Sequence, residues 1–204
     1  MTGHTVKPAT ASGTGTGRLF VISGAQAAGK TTVGQALADA LPRSVFIDGD
    51  TIGNVVVSGK ALMTQPPRIE AIEQLFLRYA GALTVADVYR SAGFDAVIAD
   101  NIFGSYLDDF LMIAAPEPVH FVMLTPSVDV IRAREISRGK NAYRHGFTVE
   151  GLVDTIEHDT FRVGLWIDNT SLSPGQTVTR ILRRTEEALI DTREFEQQDE
   201  APAP

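Results

Sequence analysis

The sequence predicts an α/β fold, a three-layer sandwich in which helices cover both faces of a five-stranded parallel sheet. Five apolar runs of strand length span 19–23, 44–47, 96–99, 119–124 and 163–167. None alternates with polar residues, which is typical of strands buried on both faces. Helical patterns separate these runs, and strands that alternate with helices indicate a parallel sheet.

The helices are predicted from apolar residues spaced three or four positions apart. The first begins after Lys30 and ends before Pro42, and others are expected at 104–114, 127–138, 148–159 and 175–190. A long amphipathic helix carries Ile69, Ile72, Phe76, Tyr79 and Leu83. Apolar surface left exposed on this helix could support a homodimer. Because ligands of parallel sheets bind beyond the carboxyl ends of the strands, functional residues are expected there.

Composition sets the broad class of the protein. The chain has 204 residues, 44% of them apolar, which suits one compact domain at 18–191 between flexible tails at 1–17 and 192–204. The net charge of −7 argues against nucleic acid as a partner. The absence of cysteine excludes disulfides and thiol catalysis. No run resembles a signal peptide or a membrane span, so we expect a soluble, cytoplasmic protein without a membrane partner.

The first strand runs directly into a phosphate-binding motif. The segment GAQAAGKT fits the pattern G-x-x-x-x-G-K-[ST] in full and lies between a strand and a helix, as its mechanism requires. Glycines let successive N–H groups point inward at phosphate, and the helix adds its positive end. Lys30 would reach the β- and γ-phosphates and Thr31 would bind Mg²⁺. The candidate nucleotide contacts are Gly24, Ala25, Gln26, Ala27, Ala28, Gly29, Lys30, Thr31 and the neighbouring Thr32.

Acidic residues follow the second and third strands. In FIDGDTI, Asp48 and Asp50 are candidates for binding a substrate hydroxyl, and Asp50 for accepting its proton. The alternative is that Asp48 and Gly49 form a turn and Asp50 caps the next helix. Asp100 follows the apolar run of the third strand, the Walker B arrangement that holds Mg²⁺, although a simple turn residue fits as well. Asn101 is a further candidate substrate contact.

Arginines cluster in the second half of the chain, at Arg132, Arg134, Arg138 and Arg144. Arg134 and Arg138 are four residues apart and share a helix face, and guanidinium groups suit both a transferring phosphate and stacking on adenine. The alternative is a solvated face paired with nearby acids. After the fifth strand, Asp168 or Thr170 could line the pocket of the nucleotide base, and a plain turn with a helix cap is the alternative.

Four segments together give the sequence a family resemblance. GAQAAGKTT, DGDTI, REISRGKN and DNTSLSP occur in the order found in P-loop small-molecule kinases and phosphotransferases. Over 18–189 the chain most resembles the chloramphenicol phosphotransferase-like group, and it is similar to gluconate, shikimate and adenylylsulfate kinases and to zeta toxins. The resemblance implies a P-loop NTPase sandwich with strand order 2-3-1-4-5 and a small lid at about 134–148.

The same resemblance implies an activity and a set of roles. It implies ATP with Mg²⁺ as the donor and a hydroxyl of a small molecule, such as an antibiotic or a sugar-like metabolite, as the phosphoryl acceptor. Asp50 matches the family's base, Lys30 the phosphate-binding lysine, and Arg134 and Arg138 the lid arginines. Residues 55–76 depart from the acceptor pockets of the family, so the acceptor is left open.

Two other functions remain open from the sequence. A P-loop ATPase or nucleotide-dependent switch would hydrolyse nucleotide without any acceptor, but the chain has no N-K-x-D-like guanine motif. A kinase of nucleotide-sugars or nucleic-acid ends could use the same core. The acidic net charge argues against the polymer, and steeply salt-dependent binding would favour it.

Overall fold

The five predicted strands are present in the predicted order. A computed structural model describes residues 15–138, 143 and 146–196. Its strands are β1 (Leu19–Gly24), β2 (Ser44–Asp48), β3 (Asp95–Ala99), β4 (Val119–Leu124) and β5 (Leu165–Ile167). All neighbours in the order β2-β3-β1-β4-β5 pair in parallel, which confirms the predicted fold class.

Helices cover both faces of this sheet and enclose two apolar cores. They are α1 (Lys30–Ala40), α2 (Gly49–Gly53), α3 (Ile69–Ser91), α4 (Tyr106–Ala114), α5 (Val128–Arg138), α6 (Val149–Asp154), α7 (Pro174–Arg183), α8 (Thr185–Ala188) and α9 (Arg193–Glu196). Strand β1 serves both cores, because Leu19 and Val21 pack with α3 and α4 while Phe20 and Ile22 pack with α1 and α7. Burial on both faces explains why its sequence does not alternate.

The second half of the chain differs from the expected elements in three places. The helix predicted at 175–190 ends at Arg183, and Leu189–Ile190 forms a sixth strand, β6, antiparallel to β4. Residues 184–190 contain no glycine or proline that would mark the end of the helix, so the strand is recognised only by its pairing with β4. The fifth strand begins at Leu165 because Gly164, at φ 66°, turns the chain just before it. The helix predicted at 148–159 continues from α6 as one π-helical turn, Thr155–Asp159.

At its carboxyl end, the packed structure extends beyond the expected domain limit at residue 191. Packed structure continues past 191, because the buried Thr192 donates its hydroxyl to the Glu117 carbonyl oxygen and α9 follows. The predicted tails at 1–14 and 197–204, and residues 139–142, 144 and 145 of the predicted lid, lie outside the described residues. Within the described ranges, no helix has the length and apolar content needed to cross a bilayer.

Candidate active site

The loop between β1 and α1 has the backbone of a phosphate cradle. Gly24 has φ 146° and Gly29 has φ 104°, values that side chains rarely tolerate. A Cβ atom at Gly24 would lie 2.7 Å from the Leu124 carbonyl oxygen, so glycine is required there by space as well. Ala27 adopts φ 62° without being glycine, a conformation that costs roughly 1 kcal/mol and is typical of functional loops.

The first turn of α1 is left open to an anion. Its N-cap, Gly29, offers no side-chain cap, and the first turn contains no acidic residue. In contrast, α2, α6 and α7 are each capped by a side chain, from Asp48, Thr148 and Ser173 respectively. Unpaired N–H groups and the helix dipole favour a negative charge at such an end. The geometry therefore suits phosphate.

The charged and hydroxyl groups of the motif surround this loop. Lys30 donates from Nζ to the carbonyl oxygens of Gly24 and Ala25, at 2.9 and 2.8 Å. Thr31 is exposed and lines a polar pocket of about 150 Å³ together with Lys30, and Thr32 is exposed beside it. The pocket is walled on its other side by side chains from the ends of β2 and β3, chiefly Asp48, Asp50, Asp100 and Asn101.

Asp100 forms the buried floor of the polar pocket. It is 3% exposed, and Oδ1 of its carboxylate forms an ion pair with Nη2 of Arg78 at 2.7 Å. Burial raises the pKa of Asp100 to about 6, because desolvation outweighs the lowering by Arg78 and the Asn101 N–H. The other oxygen, Oδ2, has no hydrogen-bond partner among the described residues. A buried carboxylate oxygen that lacks a hydrogen-bond partner is suited to bind a cation.

Glycine at position 49 makes room for this carboxylate. A Cβ atom on Gly49 would lie 2.2 Å from Oδ2 of Asp100, a distance at which the atoms would overlap. The DGD sequence therefore places two acids on either side of the one residue small enough to let a third acid approach. Sequence reasoning assigned Gly49 only to a turn.

The two acids of DGD occupy different positions. Asp48 is the N-cap of α2, and its Oδ1 accepts a hydrogen bond from the Asp50 N–H at 3.1 Å, so the helix-capping role belongs to Asp48 rather than to Asp50. The side chain of Asp50 is 82% exposed and lies 3.8 Å from Nη1 of Arg78. Asp50 is thus the more accessible of the two carboxylates.

A second, larger cavity adjoins the polar pocket. It has a volume of about 460 Å³ and lies between α2, α3 and residues 55–67 of the loop that joins them. Three residues, Gln26, Asp50 and Asn101, line both this cavity and the polar pocket. We call their meeting point the junction. The arrangement places the Asp50 carboxylate between a site with phosphate-binding geometry and a site large enough for a small organic molecule.

The predicted nucleotide-base residues lie near the other end of the loop. Arg134 donates to the Ala28 carbonyl oxygen at 2.8 Å, and the side chain of Arg138 lies outside the described residues. Asp168 accepts a hydrogen bond from the Thr170 N–H, and the Thr170 hydroxyl accepts one from the Ser127 N–H. These bonds match the alternative of a turn with a cap for Asp168 and Thr170. The residue between them that contacts the loop is the buried Asn169, whose side-chain amide donates to the Ala28 carbonyl oxygen at 3.0 Å.

Sequence reasoning missed two residues of this site, Arg78 and Asn169. Arg78 belongs to no motif, and its only sequence signal was a cation on the long helix. Asn169 lies in the DNTSLSP segment, where the two residues that flank it were chosen instead. One described part of the predicted lid reaches the loop, since the Tyr143 hydroxyl donates to the Gln26 carbonyl oxygen at 2.7 Å. Burial raises the pKa of Tyr143 above its ordinary value.

The donor set fits Mg²⁺ bound jointly with phosphates. Among the residues that the structure describes, no cluster of three or more histidine, aspartate or glutamate side chains could hold a metal ion by itself. Mg²⁺ is commonly held by one or two protein oxygens, with phosphate oxygens and waters completing the octahedron. Asp100, whose Oδ2 is unpartnered among the described residues, and Thr31 line the same pocket, and both carry side-chain oxygens of this kind.

Several solved structures, among them a sugar kinase and an APS kinase, share this fold. The tunicamycin resistance protein of Deinococcus radiodurans is 20% identical with a TM-score of 0.62, covering 85% of this chain and 98% of that one. A sugar kinase from Janibacter sp. HTCC2649 is 21% identical with a TM-score of 0.60, covering 84% and 96% respectively. The APS kinase CysC of Mycobacterium tuberculosis, solved with AMPPNP and APS, is 12% identical with a TM-score of 0.58, covering 84% and 99%.

These similarities confirm, at the level of the fold, the resemblance to P-loop small-molecule kinases. No protein-family model matches the sequence. No curated protein matches it either.

Proposed function

We propose that this protein transfers the γ-phosphoryl group of ATP to a hydroxyl of a small molecule. The observation that carries the proposal is the junction, where Asp50 lines both the polar pocket and the 460 Å³ cavity. A mechanical ATPase or a switch needs a nucleotide pocket but no second cavity open to the same carboxylate. The shared fold with a sugar kinase and an APS kinase supports the same class of activity.

The nucleotide would be held by the loop between β1 and α1. Backbone N–H groups of the loop and of the first turn of α1 bind phosphate oxygens, and Lys30 neutralises the β- and γ-phosphates. The Thr31 hydroxyl and the Asp100 carboxylate would hold Mg²⁺, which would neutralise further phosphate charge. Asn169 and Arg134 fix the carbonyl oxygen of Ala28 and so support the loop from the side where the base is expected.

The acceptor hydroxyl would be oriented by Asp50. The carboxylate accepts the hydroxyl proton as the oxygen attacks the γ-phosphorus, the bond to the β,γ-bridging oxygen breaks, and ADP and a phosphate monoester result. Nη1 of Arg78, 3.8 Å from Asp50, places a positive charge beside this carboxylate. Asp48 already accepts a hydrogen bond as a helix cap, which makes it the weaker candidate for the base.

Label transfer tests this function. The protein is incubated with Mg²⁺ and ATP labelled in the γ-phosphoryl group, together with alcohols, sugars and nucleosides, and run beside Lys30→Ala. We expect label in an organic phosphate with the wild type, and a loss of at least about tenfold in ATP affinity with Lys30→Ala, because charge-assisted hydrogen bonds to phosphate are lost. Label that appears only as inorganic phosphate, at a rate that no acceptor changes, would instead identify an ATPase.

A further inference from the structure

The walls of the larger cavity are mostly apolar. Side chains from α2, α3, the 55–67 loop and the segments after β3 and before α6 form them, among which are Ile52, Met63, Leu75, Phe103 and Phe147. Leu62 and Leu77 lie at the mouth and are 58% and 68% exposed. A ligand that covered them would remove apolar surface from water, at roughly 25 cal/mol per Å².

The charged groups of the cavity disfavour an acidic ligand. Arg78 pairs with Asp100 and Asp50, and its Nε, which has no hydrogen-bond partner among the described residues, is buried. Lys60 is exposed and donates to the Asn54 side chain. A carboxylate inside the cavity would therefore meet no cation whose charge is unbalanced, and it would lie next to the negative charge of Asp50. Bringing a charge out of water without a partner is costly.

Polar groups occur both on the wall of the cavity and at the junction. Gln74, on its wall, is occupied by the loop, since its amide accepts from the Ala61 N–H and donates to the Gly59 carbonyl oxygen. At the junction, the side-chain oxygens of Gln26 and Asn101 have no hydrogen-bond donor within the described residues. A ligand with one hydroxyl or N–H group near the junction fits this pattern, whereas a sugar would press several hydroxyls against apolar walls.

We propose that the phosphoryl acceptor is an uncharged, largely apolar alcohol, with its hydroxyl at the junction and its apolar body in the cavity. The inference rests on the proposed kinase function and narrows its substrate class. It distinguishes this chain from a kinase of sugars, hydroxy acids or nucleotides. The 55–76 segment, which resembles no acceptor site of the family in sequence, supplies much of the apolar wall.

A binding experiment tests the cavity without relying on catalysis. The neutral fluorophore N-phenyl-1-naphthylamine is titrated into the full chain and then displaced with 3-phenylpropan-1-ol. Leu77→Gln, at the mouth, is compared with Val88→Gln, a residue on the same helix that is 66% exposed and does not line the cavity. We expect the Kd of the fluorophore to rise at least about fivefold in Leu77→Gln alone. No binding, or an equal effect in both variants, would overturn the assignment of an apolar ligand.

A matched set of acceptors then tests the substrate class. Label transfer from ATP is measured with 3-phenylpropan-1-ol, with its para-carboxy derivative and with glucose. We expect kcat/KM to be at least about tenfold higher for the uncharged alcohol than for either of the others. Transfer to glucose or to the carboxylate at an equal or higher rate would overturn this inference and leave the kinase function intact. Binding of the fluorophore with label released only as inorganic phosphate, at a rate that none of the alcohols, sugars and nucleosides changes, would overturn the kinase function itself.

Discussion

Nη2 of Arg78 and a carboxylate oxygen of the buried Asp100 lie 2.7 Å apart, and this ion pair joins the two compartments of the site. Asp100 forms the floor of the polar pocket, and Arg78 lines the apolar cavity. A second contact of the same guanidinium, at 3.8 Å, reaches Asp50 at the junction. One side chain of α3 thus connects the carboxylate expected to hold the metal with the one expected to bind the acceptor.

Replacement of Arg78 is expected to destabilise the protein strongly. In Arg78→Met, Asp100 keeps its burial and loses its cation, and removal of one partner of a buried pair typically costs about 3–5 kcal/mol of unfolding free energy. The free energy is measured by urea unfolding. The control is Arg184→Met, which breaks an exposed pair with Glu187 and is expected to leave the urea midpoint unchanged. Equal effects in the two variants would show that the Arg78 pair is not buried as described.

The raised pKa of Asp100 predicts a pH-dependent stability. The ordinary pKa of an aspartate is 3.8, and that of Asp100 in the native state is about 6. Between these two pH values the native state binds a proton at Asp100, while the unfolded state does not. The contribution of this group to stability is therefore largest below pH 3.8 and is lost as the pH rises through about 6, by at most about 3 kcal/mol.

This dependence is measured on the metal-free protein by urea unfolding at several values between pH 4.5 and 7.5. Asp100→Asn carries no titratable group at this position, so the difference in unfolding free energy between wild type and variant should change with pH in the window from about 4 to 6. The change should favour the variant as the pH rises. A difference that is constant across this window would contradict the assignment of a raised pKa to Asp100.

A methyl group at position 49 should disturb the site. Gly49→Ala places a Cβ atom against the Asp100 carboxylate, and overpacking of this kind costs about 1–3 kcal/mol. Gly175→Ala is the matched control, because Gly175 also lies in the first turn of a helix and has open space around it. It should be neutral or stabilise by up to about 1 kcal/mol. In thermal unfolding we expect Gly49→Ala to melt at a lower temperature than Gly175→Ala. Similar melting temperatures would contradict the close approach of Gly49 to Asp100.

The nucleotide end of the site could be predicted largely from sequence because its determinants are local. Eight consecutive residues specify the loop, and the strand before it and the helix after it follow from adjacent apolar patterns. Asp100 could be found because an acid after a buried strand falls at the ligand-binding edge of a parallel sheet. The roles assigned to these residues stay predictions until nucleotide binding is measured.

The acceptor end could not be predicted because it depends on tertiary packing. Arg78 adjoins the buried Tyr79 on α3, and nothing in the helical pattern indicates that its guanidinium reaches the ends of β2 and β3. At the fifth strand, Asp168 and Thr170 were chosen and Asn169 between them contacts the loop, since which residue of a turn points inward depends on backbone angles. The strand β6 was missed because it forms only by pairing with β4, which is distant in sequence.

The turnover of Asp50→Asn tests the central claim most directly. With saturating ATP, Mg²⁺ and an acceptor, we expect kcat to fall by about 10²–10⁴ while ATP affinity stays near that of the wild type, because general-base catalysis is lost and the phosphate cradle is retained. Asp48→Asn keeps a side-chain oxygen for capping α2 and should lower kcat far less. Transfer by Asp50→Asn at the wild-type rate, or an equal loss in Asp48→Asn, would contradict the assignment of Asp50 as the base at the junction.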